Sequence, residues 1–192
     1  MRATNRRRTA NLVIVIGFLT AGGCAAPSID FSRIQRPPRS SELDAYELFV
    51  GSWDWEATLS NAEAPDDEWT GTAQWEWILD RRCLRGTMTS KSQRASFAAS
   101  GVWSRDPRSG KYIWWMFNDW GYPQYGSASY DKAHRRWVMK YRSVGLDGTA
   151  SYGEYRITVV DNDTMEWRAD EWADVFHLFK KMEMRGTYRR RK

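Results

Sequence analysis

The side chains with the widest chemical reach in this 192-residue chain are its twelve tryptophans, and they are not scattered. Trp53, Trp55, Trp75, Trp77, Trp103 and Trp167 each fall at alternate positions of an extended run, so their rings share one side of strands. Flat, rigid walls of that kind suit enclosure of a ring-bearing or acyl ligand. A second aromatic set, Trp120, Tyr122 and Tyr125, sits among amides and a carboxylate in Asn118–Tyr125 and reads as a lid over the same interior, or as a stacking platform for a sugar. Catalytic chemistry has less to work with. There are two histidines, His134 and His177, which excludes a multi-histidine metal site, and no phosphate loop, G-x-S-x-G or H-E-x-x-H occurs. The carboxylates Asp66–Glu68, Asp161 with Asp163, and Asp170–Glu171 with Asp174 read as solvated turn residues. Cys83 reads as a structural thiol. The competing view of the tryptophans is that they fill the interior: each buries roughly 150–250 Å², about 4–6 kcal/mol gross.

Those rings need strands to carry them. Gly51, Trp53, Trp55, Ala57 and Leu59 alternate with Ser52, Asp54, Glu56 and Thr58, the period-two pattern of a half-buried strand. Trp69, Gly71, Ala73, Trp75, Trp77 and Leu79 repeat it. Further inward sets are Leu84–Ser90, Phe97–Trp103, Trp137–Tyr141, Tyr155–Val159, Met165–Ala169 and Met182–Tyr188, while Tyr112–Phe117 is apolar on both sides. Asp106–Gly110 and Leu146–Thr149 carry turn chemistry. Ser41 reads as the cap of a short helix burying Leu43, Tyr46 and Phe49. The expectation is an all-β, closed antiparallel barrel of nine or ten strands with one short N-terminal helix, because closure removes exposed strand edges. Inward Gly71, Gly86 and Gly101 would leave room for a ligand.

The first 23 residues stand apart. Arg2, Arg6, Arg7 and Arg8 precede the apolar Leu12–Leu19, too short to span a bilayer, and the small residues before Cys24 complete an export signal. Its end resembles a bacterial lipobox, in which Cys24 would be the lipidated first residue and the membrane anchor. Ala21 replaces the usual large aliphatic residue, and Ala21-x-Gly23 also fits ordinary cleavage to a soluble periplasmic or secreted protein. Residues 24–39, with Pro27, Pro37 and Pro38, read as a flexible tether, and 40–192 as a single barrel domain. The formal charge of +5 includes the four leader arginines, so the mature chain carries about +1, and nucleic-acid binding loses its support. One cysteine remains after Cys24, so the domain has no internal disulfide.

Gly51-x-Trp53 after a short helix and before about nine strands resembles the calycin superfamily of lipocalin-like barrels. The resemblance implies that Gly51 and Trp53 close the barrel floor beneath a late basic residue, Arg189 or Arg190. More narrowly, Leu48–Trp53, the Trp75–Gly86 hairpin, Tyr130–Asp131 before Trp137 and Gly186–Arg189 resemble the bacterial domain of unknown function 1579, which supplies no settled activity. Haem-binding barrels related to the calycins hang iron from one late histidine. Counting back from Met184 by twos leaves His177 outside; a bulge at Lys180–Lys181 would turn it inward. The reading is a non-catalytic envelope barrel enclosing a small apolar or amphipathic molecule through Trp55, Trp75, Trp77, Trp103, Trp167, Trp120, Tyr122 and Tyr125, with no cofactor. Its rivals are a filled barrel serving as an envelope interaction or glycan-binding module, and a haem-binding barrel.

Overall fold

The computed structural model describes residues 35–61, 64–144 and 148–192. The leader, Cys24, the tether up to residue 34, and Leu146 and Asp147 of the turn at Leu146–Thr149 lie outside them. The folded unit is Pro38–Lys192.

Ten antiparallel strands close into one barrel: β1 Gly51–Asn61, β2 Ala64–Ile78, β3 Cys83–Lys91, β4 Ser96–Arg105, β5 Tyr112–Asn118, β6 Pro123–Asp131, β7 Arg136–Val144, β8 Ala150–Val159, β9 Thr164–Trp172 and β10 Lys180–Arg190. Each strand pairs with its neighbours in sequence, and β10 returns to β1, so no edge is left open. Odd residues of β1 and β2 and even residues of β10 face inward, which the register Trp53↔Arg190, Trp55↔Tyr188 and Trp53↔Ala73 makes continuous across three strands. The alternation read along the chain is therefore the inside and outside of the wall.

One strand was not foreseen. β6 begins within the stretch read as a lid, whose loop shrinks to residues 119–122. Pro123 is tolerated there because it opens the strand, where its missing N–H costs no ladder bond in the interior.

A 3-10 helix, Ser41–Leu48, covers the end at which β1 begins. Its cap is Ser40 rather than Ser41: the Ser40 side chain accepts the Glu42 N–H at 3.3 Å. Leu43, Tyr46 and Phe49 recur every third residue, which on a helix of three residues per turn aligns them on one face, and all three are buried. Tyr46 stacks on Trp137 at 4.9 Å, and Tyr112 and Tyr130 pack on the same indole at 4.8 Å each. This aromatic plug makes the floor. The far end, where β9 passes to β10 and β5 to β6, is the mouth.

Candidate functional site

The inward residues enclose a cavity of about 930 Å³ that opens at the mouth. That exceeds the roughly 300 Å³ at which ligand pockets begin. The tryptophans do not fill the barrel; they line it.

The reason lies in the glycines. A methyl group built at Gly71 would come within 2.6 Å of Trp55, one at Gly86 within 2.5 Å of Trp75 and 2.7 Å of Trp103, and one at Gly186 within 2.8 Å of Trp167. Tyr141 lies over Gly153 in the same manner. Each ring lies across the wall in the space a neighbouring strand leaves by having no side chain. Of the three glycines expected to leave room for a ligand, Gly86 borders the cavity, while Gly71 and Gly86 first make room for rings and Gly101 for the Trp115 carbonyl at 2.6 Å and Trp103 at 3.0 Å. Ring-to-ring contacts then fix the wall. Trp167 stacks on Tyr155 at 5.0 Å and meets Trp55 edge to face at 6.0 Å; Trp103 stacks on Trp114 at 6.3 Å.

Of the residues expected to touch a ligand, Trp55, Trp75, Trp103, Trp167, Trp120 and Tyr122 line this cavity. Trp77 does not. It shares the inward face, but the helix covers it: its indole N–H donates to Glu47 at 2.8 Å, and the Arg39 and Arg81 guanidinium groups each lie 5.2 Å from its ring. Tyr125 does not either. It is two residues into β6 at an outward position, opposite Trp115 and Arg142, and is exposed. Trp120, Tyr122 and Tyr125 thus share no face on which a sugar could stack.

Toward the mouth the lining turns polar. Glu171, Ser143, Asn118, Gln124 and Lys181 border the cavity there. Glu171 is buried, and the Tyr141 hydroxyl donates to it at 3.3 Å. Lys181 donates to the Thr149 hydroxyl at 2.8 Å. Burial, reinforced by Glu171, pushes the Tyr141 phenol well above its ordinary range. Tyr155 and Tyr188 share a 3.4 Å contact deeper in, and burial pushes Tyr188 up to about 12. These phenols stay protonated at neutral pH and offer hydrogen bonds rather than basic oxygens.

Glu171 and Asp170 were read as turn residues; both lie on β9 and are buried. Glu171 continues the inward phase of Met165, Trp167 and Ala169, so its position was legible in the alternation, and the register Gly153↔Glu171 fixes it. Trp114 was hidden in a run apolar on both sides and is settled by its pairing with Trp103.

The floor latch is resolved as Arg190. Its guanidinium lies 4.2 Å over the Trp53 ring, donates to the Leu48 carbonyl at 3.2 Å, to the Asn162 carbonyl at 3.0 Å and to Val50. Trp53 is fully buried and donates to the Phe49 carbonyl at 2.8 Å. Gly51, at φ +125°, keeps its Cα against this guanidinium, where a methyl group would come within 2.5 Å. Arg189 points outward, 3.5 Å from Glu56.

His177 is not a haem ligand in this geometry. The register does shift between Lys180 and Met182, yet residues 173–179 form a loop rather than an extension of β10. His177 adopts φ +60° and stacks on Trp172 at 4.0 Å, away from the lumen. His134 is in an exposed turn, 2.7 Å from Asp131. Neither imidazole reaches the cavity, so the residues present do not fit a histidine-ligated haem.

The chain matches no known protein family by sequence, and no curated protein resembles it closely enough to register. Its fold is similar to that of several solved structures. Rv2717c from M. tuberculosis superposes with a TM-score of 0.59 at 14% identity, over 81% of this chain and 100% of that one. The S-type phycobiliprotein lyase CPES from Guillardia theta gives 0.55 at 12% identity, over 81% and 99%. At such identities the likeness establishes the closed β-barrel fold and nothing of activity.

Proposed function

We propose that this protein is an exported, lipid-anchored, lipocalin-like carrier that encloses a small amphipathic molecule without chemically changing it. The observation that carries this reading is the open cavity of about 930 Å³ beneath a polar rim. A ligand would place its apolar or ring-bearing part among Trp55, Trp75, Trp103 and Trp167, and its polar end near Glu171, Tyr141 and Lys181. Apolar burial supplies affinity there and the few polar groups supply orientation. Binding rather than catalysis is favoured by the phenols, which are held neutral, and by Glu171 being the one carboxylate that lines the cavity among the described residues. Export and anchoring through Cys24 rest on the leader's composition. Kinship with the bacterial domain of unknown function 1579 rests on its short motifs. The phycobiliprotein lyase among the similar structures is a protein of this fold; the ring-bearing ligand class rests on the aromatic lining.

Native mass spectrometry of the protein purified from its own host tests this. A retained small molecule, released on denaturation, is the expected result. Protein that carries none, and whose tryptophan fluorescence is unmoved by a panel of amphipathic ring compounds, would overturn the reading.

A further inference from the structure

From β5 to the β9–β10 loop, the outer surface of the mouth carries exposed apolar side chains where a barrel wall facing water should be charged. The loop between β9 and β10 presents Val175, Phe176, Leu178 and Phe179, all exposed, Phe176 at 79%. This loop is built rather than loose. The Asp174 carboxylate accepts the backbone N–H groups of Phe176 at 2.9 Å, Leu178 at 3.0 Å and Phe179 at 2.9 Å, and Ala173 donates to the Phe179 carbonyl at 2.9 Å. Burial alone would push the Asp174 carboxyl up; these three donors outweigh it and hold it below the usual carboxylate range. With its donors paired inside the loop, the tip can leave water without stranding those polar groups.

Below the tip, one register row crosses five strands on the outer wall: Trp115↔Tyr125↔Arg142↔Tyr152↔Trp172. Each is within three residues of the mouth end of its strand. The Arg142 guanidinium lies 5.4 Å from the Tyr152 ring, and His177 stacks on Trp172, so the row joins the loop. Phe117, exposed, extends the apolar rim on the β5 side. Aliphatic and phenylalanine side chains at the tip, with tryptophan, tyrosine and arginine behind them, follow the polarity gradient of a bilayer interface. A protein partner would need no such ordering by depth. Charge at this end is mixed, with Asp66 and Asp119 near the mouth and Lys180 held by Asp170 and Glu183, so apolar insertion rather than attraction to anionic lipid must supply the contact.

We propose that the mouth of the barrel docks on a lipid bilayer, with Val175–Phe179 inserted among the acyl chains and the Trp115-to-Trp172 row at headgroup level. The docking is a property of the outer surface and holds whether or not the lumen carries a ligand. A spin label introduced as Val175→Cys in the full chain with Cys24→Ser and Cys83→Ser measures it on vesicles of phosphatidylcholine and phosphatidylglycerol. With Cys24→Ser the chain carries no lipid anchor, so the label reports contact that the mouth makes by itself. On vesicles, the label should gain access to oxygen and lose access to a water-soluble nickel relaxant, while a label at Arg108→Cys in the β4–β5 turn at the closed end stays aqueous. Adding Phe176→Ser and Phe179→Ser should abolish that shift, with near-UV circular dichroism unchanged because both side chains are already in solvent. A label at 175 that stays aqueous on vesicle-bound protein overturns the proposal. So does one already shielded without vesicles in a self-associated form, which would make a second copy the occupant.

Discussion

Gly86→Ala isolates the claim that inward glycines hold the tryptophans against the wall. Gly86 does not have a positive φ, so alanine brings no backbone strain of its own. Its methyl group would lie 2.5 Å from Trp75 Nε1, 2.6 Å from Trp75 Cδ1 and 2.7 Å from Trp103 Cζ3. Carbon atoms settle at about 3.5–4.0 Å, so each indole must retreat by roughly 1 Å. Neither is free to do so. Trp75 is already packed against Tyr188 at 5.5 Å and Phe49 at 5.8 Å, and Trp103 against Trp114 at 6.3 Å. Overpacking of this kind costs about 1–3 kcal/mol, against which the stiffer unfolded chain returns about 0.4–1 kcal/mol. The net expectation is a loss of about 1–2 kcal/mol, read as a lower urea midpoint at unchanged slope, together with weaker binding of any lumen ligand as the rings lean inward. An alanine variant as stable as the parent, or more stable, would refute the account, because the unfolded-state term alone predicts a gain.

Arg190→Met removes the guanidinium from Trp53 and leaves the Leu48 and Asn162 carbonyls without their donor, which should cost about 2–4 kcal/mol. Arg190→Lys should recover only part of it, since an ammonium cannot reproduce the fork; equal urea midpoints for the Lys variant and the parent would show the latch to be a charge alone. On the outer face, burial by itself would push the Asp170 carboxyl up, but hydrogen bonds from Arg168 and Lys180 outweigh it and hold it below the usual range. A depressed folded-state pKa gives stability that is present above the unfolded value near pH 4 and lost as pH falls through the folded value. Asp170→Asn should therefore lower stability at neutral pH, and the gap to the parent should close in acid; a gap that persists below the folded pKa would mean the loss is steric.

What could be read from the sequence was the part governed by local alternation. Gly51–Leu59 and Trp69–Leu79 declare their inner faces because large rings alternate with charges, and the structure keeps that phase through to Arg190. β6 was missed for a physical reason: short of Tyr130 at its floor end, its inward residues Gln124, Gly126 and Ala128 are polar or small, opposite Met116, Trp114 and Tyr112. A strand that yields its space to its neighbours' rings has no apolar rhythm of its own. Asp170 looked like a turn residue because its partners Arg156, Arg168 and Lys180 come from three strands, and a cross-strand ion network leaves no mark in a linear window. His177 turned on where β10 begins. The bulge was foreseeable from the cost of burying Lys180, but the loop that ends the strand at residue 179 depends on the Asp174 carboxylate capturing N–H groups up to five residues ahead.

The two ends of this barrel invert each other's polarity. At the closed end the lumen is aromatic, from Tyr46 to Trp137, while the outer wall carries ion pairs such as Arg189 with Glu56. At the mouth the lining bears Glu171 and Lys181, and the outer wall bears Trp115, Phe117 and the Phe176 loop. A barrel that only had to fold would gain nothing from an apolar exterior beside a polar opening, since exposed Phe176 and Leu178 contribute no burial. The inversion does useful work if an amphipathic molecule must pass between an acyl environment and the lumen while its polar end finds partners at the rim. The two halves of that idea separate cleanly. Gly86→Ala perturbs rings deep in the wall and should weaken enclosure while leaving the loop's depth in vesicles intact. Phe176→Ser with Phe179→Ser should abolish the depth and leave the affinity for a ligand supplied from water unchanged. If either substitution moved both readouts equally, the lumen and the rim would be one cooperative unit, and the mouth could not be described as a surface independent of the cavity it surrounds.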